Sequence, residues 1–211
     1  MTAAANASVS AEPAVEIGYP ALPPYDAEAF PPALAKNEHL ASARLWADAI
    51  ALMIADAPSA GALMQALAFG LETPNLLRWA CLAARLEEVV SARKKRSEAL
   101  VAAERWLREG GEPLRYEAYR LAHAEEYDSP GAMAAVAAFT SGPSLAPIDQ
   151  PPSPPGSGLA RSSATGVLVT VAACDALGAH GFERVNLIGL DLARGGDGRS
   201  GARDALSRSA S

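Results

Sequence analysis

The chain has 211 residues, half of them apolar, 6% aromatic and 20% charged, with a formal net charge of −6. That length suits a single domain with tails, large enough to bury a core without disulfide or metal staples. The acidic balance excludes a general electrostatic pull toward nucleic acid or an anionic membrane surface.

Much of the apolar content is alanine, the best helix former and a small core residue. Runs rich in Val, Ile, Thr and aromatics, which strands need, are few. The expected fold class is all-α: a compact array of antiparallel helical hairpins, about seven to eight helices in number.

Residues 1–35 carry four acids, no Lys or Arg, and six prolines. That density blocks a helix and lacks strand alternation, so an acidic arm, largely extended or disordered, is expected. Its Tyr19, Leu22, Tyr25, Phe30 and Leu34 offer an alternative, an arm packed onto the helices; docking on another protein as a polyproline segment is a third. A single helical domain is expected over residues 36–195. "EHLASARLWADAIALMIADA" places Leu45, Ala49, Leu52 and Met53 on one stripe, with Trp46 and Ile50 beside it. Pro58 opens a second helix carrying Leu63, Leu67 and Leu71. In the next, Thr73 reads as an N-cap and Pro74 as its first residue, with Trp79, Leu82 and Leu86 on the apolar side.

Residues 75–109 contain neither Gly nor Pro. A break is expected near Ser91–Ser97, with Ser97 capping a new helix and Arg93–Arg96 placed near the preceding C-terminus, where the helix dipole favours cations. Gly110-Gly111 stops that helix, Pro113 opens another, and Ser129-Pro130 repeats the cap-then-proline pattern. Pro74 leads to Glu87-Glu88 as Pro113 leads to Glu125-Glu126, a faint echo that favours helical hairpins. Six prolines lie within residues 141–158, so 143–158 reads as a surface strap or linker. An apolar helix through Val167 and Val171 and a short closing helix, "FERVNLIGLDLARG", follow. Residues 196–211 read as a disordered tail.

The start, "MTAAANASVSAEP", lacks the charged and apolar parts of an export signal. "ATGVLVTVAAC" offers 11 uncharged residues before Asp175, about half of what a membrane span needs. A cytoplasmic location without membrane insertion is expected. Cys81 and Cys174 read as free thiols inside apolar helices.

Chemical motifs are sparse. His39, His123 and His180 share no ligand spacing, and HExxH, GxSxG, GxxxxGK[ST] and GxGxxG are missing. Glycine-rich "GGDGRSG" follows no strand and lacks the acidic ladder of a calcium loop. No metal or cofactor is expected. Arg78 and Arg85 read as partners of nearby Glu. Trp46, Trp79 and Trp106 read as seam residues between helices. His123, with Tyr119 at i−4 and Glu126 at i+3, is the best acid–base set, and a solvated surface set is its plainer meaning.

"AAERWLREGGEPLRYEAYRLAHA", then "AAVAAFTSGPSLAP", a Pro-rich stretch and "ATGVLVTVAAC", resembles an uncharacterised bacterial family, DUF6931. "PNLLRWACLAARL" fits the Trp-Ala-Cys run of its members, and the resemblance covers roughly residues 40–190. It implies an all-helical protein with no assigned catalytic residues. Family members encoded near type VI secretion components imply an accessory, adaptor or chaperone role. The Ala-Ala-Glu-x-Trp hairpin is also similar to pieces of helical immunity proteins. Gly110-Gly111 departs from the family's Asp-Pro type break, so the packing carries over and a surface site does not.

The function expected is therefore a non-catalytic helical protein-interaction module with a protein partner, a secretion component or a toxin. Its candidate face is Glu104, Arg108, Arg115, Tyr119, His123 and Glu126. The alternatives are an immunity protein binding a cognate toxin and a helical-bundle enzyme using His123, Tyr119 and Glu126.

Overall fold

Alanine stripes, proline starts and glycine stops resolve into eleven α-helices and no strand among the described residues, 18–92 and 96–208 of a computed structural model. In chain order they are α1 (Pro32–Ala35), α2 (Glu38–Ser42), α3 (Trp46–Ala55), α4 (Ala60–Gly70), α5 (Thr73–Val90), α6 (Glu98–Glu109), α7 (Glu112–Ala124), α8 (Pro130–Thr140), α9 (Leu159–Ala172), α10 (Gly181–Ala193) and α11 (Arg199–Ser207). The fold is the all-α array of hairpins expected. Helix α6 packs on α7, α8 on α9 and α10 on α11, while α5 runs through the middle against α6, α8, α9, α10 and α11.

Alanine sets the spacing of the helices. In α8, Ala132, Ala134, Ala135, Ala137 and Ala138 are all buried, so its neighbours approach from several sides. Large side chains fill the gaps that remain. Trp79 of α5 is fully buried and its indole N–H donates to the Val185 carbonyl of α10 at 2.9 Å. Gly189, one turn on, makes room for the ring: a Cβ there would lie 2.6 Å from it.

Residues 18–35 are not a free arm. Leu22, Phe30 and Leu34 are buried, Tyr25 and Phe30 pack edge-on against Trp46 at 5.3 and 5.5 Å, and the Trp46 indole donates to the Pro23 carbonyl at 2.8 Å. The Tyr25 hydroxyl donates to the Leu40 carbonyl. Prolines forbid a long helix, yet the aromatics between them gain apolar contact by lying along α3 and α4. Residues 1–17, the rest of the acidic arm, lie outside the described residues, as do Arg93–Lys95 of the cationic run and the last three residues of the tail.

The helix expected from residue 38 divides at Ala43–Leu45 into α2 and α3. Its stripe is turned by one residue. Trp46, Ala49, Ile50 and Met53 face inward, whereas Leu45 and Leu52 are exposed. Trp46 carries the most apolar area and takes the inward position beside Tyr25 and Phe30. At α5, the cap position falls on Glu72, and Thr73 is the first helical residue.

The break between α5 and α6 stands where glycine and proline are missing, and Ser97 explains it. Its hydroxyl caps α6, accepting from Leu100 N–H at 3.0 Å. Glu88 accepts from the Ser97 N–H at 2.8 Å. Glu125 accepts from the Ser97 hydroxyl at 2.7 Å and from the Ala99 N–H at 3.0 Å. Carboxylates from the ends of α5 and α7 thus meet at the positive end of α6, where the dipole favours them.

Residues 199–207, read from the sequence as tail, form α11, which packs on α10. Asp191 accepts from the Gly198 N–H at 2.8 Å, and buried Arg184 donates to the Ala205 carbonyl at 2.9 Å and the Leu177 carbonyl at 3.2 Å. Polar composition masked a helix that α10 holds through carbonyl-directed hydrogen bonds. Another guanidinium, Arg161 of α9, donates to the carbonyls of Phe69 and Leu71 at 2.9 and 3.0 Å and also to Ala68, closing the negative end of α4.

Among the described residues no single helix is long and apolar enough to cross a membrane. The α9 and α10 segments together have the length but bend by 102°. Val167, Val171, Val185 and Ile188 of these helices are fully buried in the bundle, whereas Leu159 and Val169 are exposed. Cys81 is buried, Cys174 is half-buried, and both are free. Burial pushes the Cys81 thiol up to about 12, so it stays a protonated core residue.

Candidate protein-interaction face

Helix α7 starts after two glycines at positive φ and ends on a motif that is usually built with glycine. The Tyr127 N–H donates to the Ala122 carbonyl and the Glu126 N–H to the His123 carbonyl, both at 3.0 Å. This is the paired closure in which the first residue past the helix adopts a left-handed conformation. Here that residue is Glu126, at φ 54°, followed by Tyr127 at φ 60°. A bulky residue in this region is an outlier, and each costs about 1 kcal/mol or more.

The left-handed pair folds Tyr127 back over α7. Its hydroxyl lies 3.2 Å from His123 Nδ1 and 3.4 Å from the Tyr119 hydroxyl. The bond to Tyr119 pushes the Tyr127 phenol above its usual value. Tyr119 stacks on Phe139 of α8 at 4.2 Å with ring planes 21° apart. The three polar rings stay exposed, Tyr127 at 40%, with acidic Glu126 and Asp128 beside them.

Arg115 holds this group from beneath. It is 0% exposed, so it is withdrawn from the candidate face. Its guanidinium donates to the Phe139 carbonyl at 2.5 Å, the Ser144 carbonyl at 2.8 Å and both Glu112 oxygens, and lies 4.7 Å from the Phe139 and Tyr116 rings. The Tyr116 hydroxyl donates to the Ala146 carbonyl. Arg115 and Tyr116 thereby tie the proline strap to α7. A planar cation with five donors can serve two carbonyls and a carboxylate at once, which explains its burial.

The remaining candidates divide. Tyr119 and His123 stand together, and Glu126 supplies the backbone turn rather than a carboxylate to His123; Tyr127 takes that place. Glu104 and Arg108 lie on α6 and face α5 and α11 instead. Glu104 receives two bonds from Arg85, at 2.8 and 2.7 Å, and Arg85 also reaches Glu88 at 2.6 Å. Arg108 lines an open cleft of about 400 Å³ with Arg78, Glu104, Asp197 and Arg199. Among the described residues no three His, Cys, Asp or Glu side chains are grouped to hold a metal.

Tyr127 is the residue that sequence reasoning missed. It lies past the end of α7, where helical spacing no longer applies, and the left-handed pair brings it back beside His123 and Tyr119. The acidic pair before it read as the helix end and hid it.

A family model described as a family of unknown function, DUF6931, matches residues 54–193. The chain belongs to DUF6931. Comparison with curated proteins and with solved structures finds no match. The DUF6931 segment takes in α4 to α10 whole, and so contains the aromatic face, Arg115 and the strap. The arm over residues 18–35 and helix α11 pack onto it from outside the matched range.

Proposed function

We propose that this DUF6931 protein is a non-catalytic helical interaction module, an adaptor or chaperone for a type VI secretion apparatus, and that its protein partner lands on Tyr119, His123 and Tyr127. The single observation that supports this face is the left-handed pair Glu126–Tyr127, which keeps an exposed phenol against two polar rings at a conformational cost. Tyrosine is enriched at interface hot spots because it brings a large rigid contact area with a polar tip. The ring group stands on Phe139 and Arg115 and is pre-organised, so little entropy is lost when a partner covers it. Glu126 and Asp128 at its edge suit a partner with a basic rim. The secretion role rests on the resemblance of the sequence to its family.

The test is affinity purification of the tagged protein from its native host at native expression, beside a Tyr119→Ala/Tyr127→Ala double variant. Mass spectrometry should find secretion components with the parent and lose them with the variant. A stoichiometric toxin-like partner would replace the adaptor role with immunity. An unchanged partner set would remove this face from the reading.

A further inference from the structure

Arginine in this protein is often matched to an acid. Among the described residues, Arg85, Arg105, Arg115, Arg120 and Arg199 each lie against a carboxylate. Arg78 of α5 and Arg108 of α6 pair with none there. Helical spacing suggested a glutamate for Arg78, as Arg85 has in Glu88, yet its guanidinium reaches only Asn75 Oδ1, at a long 3.4 Å. Acids are in excess in a chain of net charge −6, and neither arginine has taken one.

Both side chains are exposed, and both line the same open cleft of about 400 Å³ between α5, α6 and the start of α11. The cleft also has two acids in its lining, and each is already engaged. Glu104 receives both of its bonds from Arg85. Asp197 Oδ1 accepts from the Arg199 N–H at 3.0 Å, and its Oδ2 lies 3.5 Å from Arg199 Nε. With these pairs cancelled, the charges that remain are those of Arg78 and Arg108. Half-buried Leu82 of α5 and Leu107 of α6 supply apolar surface to the same space. Gly198 brings the start of α11 close to Leu82: a Cβ there would lie 2.5 Å from Leu82 Cδ1.

We propose that this cleft binds a small organic phosphate, a monoester whose dianionic group meets the Arg78 and Arg108 guanidiniums and whose carbon skeleton lies on Leu82 and Leu107. A phosphate monoester carries a charge of about −1.5 to −2 at neutral pH, which matches the two unpaired cations. A guanidinium presents its donors as a planar fork that suits phosphate oxygens. Concave walls of one charge sign concentrate the field on a ligand that enters between them. The volume lies at the small end of the range for small-molecule sites. The site is formed by α5, α6 and the start of α11, whereas the aromatic face is formed by α7 and α8, so either can fail alone.

Phenyl phosphate is the probe, titrated calorimetrically into the full chain at low salt. Phenyl sulfate keeps the ring with one negative charge fewer, and inorganic phosphate keeps the charge without the ring. Phenyl phosphate should bind saturably at one site, and each of the other two about tenfold more weakly. Arg78→Gln and Arg108→Gln, both at exposed positions, should keep the helical signal and each lower the affinity about tenfold, as the loss of a charge-assisted hydrogen bond does. Arg203 is exposed on α11 and outside the cleft lining, so Arg203→Gln should leave the affinity unchanged. No saturable binding up to about 10 mM, where a Kd of about 1 mM would already show saturation, would overturn the site. Equal affinity for phenyl phosphate and phenyl sulfate would overturn the match to a dianion. Full affinity in Arg78→Gln and Arg108→Gln, or an equal loss in Arg203→Gln, would overturn the placement in this cleft.

Discussion

Two helices of this protein end with the same hydrogen bonds and different residues. At the end of α10, the Gly195 N–H donates to the Leu192 carbonyl and the Gly196 N–H to the Asp191 carbonyl, both at 2.9 Å, with Gly195 at φ 84°. At the end of α7, Glu126 and Tyr127 make the corresponding bonds, with Glu126 at φ 54°. Glycine occupies the left-handed position at little steric cost; glutamate does not. The α10 end is thus built for stability, and it turns the chain toward α11. The α7 end accepts a cost and gains an exposed Tyr127 beside Tyr119 and His123. The difference separates a turn that only connects from one that presents side chains.

The largest effect should come from removing the support beneath the α7 face. Arg115→Ala leaves the Phe139 and Ser144 carbonyls without their buried donor and opens a cavity, at a cost of about 3 kcal/mol. Denaturant unfolding would measure it, and hydrogen exchange should show the strap over residues 143–158 opening first. Next in size, Tyr127→Ala should change stability by less than about 0.5 kcal/mol, as exposed positions do. It should weaken partner binding by about 2 kcal/mol, near thirtyfold, in a titration with the purified partner. The two helix ends can then be exchanged. Gly195→Glu, which gives α10 the residue that α7 carries, should destabilise by about 1 kcal/mol. The reverse change, Glu126→Gly, should stabilise by about 0.5 kcal/mol in the same unfolding assay. It should also loosen Tyr127 and lower partner affinity, so stability and binding would move in opposite directions.

Much of the fold was legible because its signals are local. Ser97 and Ser129 lie just ahead of their helices and cap them, and Gly110 stops α6. Trp79 marks the centre because its size demands burial. Where the sequence misled, a contact between distant residues had decided the outcome. Trp46 turned inward because Tyr25 and Phe30, about twenty residues earlier, lie against it. Helix α11 forms because Arg184 and Asp191 of α10 bind its backbone, which the composition of residues 196–211 does not announce.

The candidate site was legible in part for the same reason. Helical spacing brought Tyr119 and His123 together. It also placed Arg115 on an exposed face, because an arginine in the first turn of a helix is ordinarily solvated. Its burial depends on two carbonyls from residues 139 and 144. Glu104 and Arg108 were grouped with the α7 residues by closeness in sequence, yet Glu104 belongs to Arg85 across α5 and α6. Tyr127 required the backbone: no pattern of residue types states that Glu126 will adopt a left-handed conformation.

The most direct measurement places a photo-reactive phenylalanine analogue at residue 127 in the native host, with the same analogue at exposed Ile148 of the strap as control. If the α7 end presents a protein-contact face, irradiation should give one dominant adduct from residue 127 and not from residue 148. No adduct at residue 127, or the same adduct from both positions, would contradict the account.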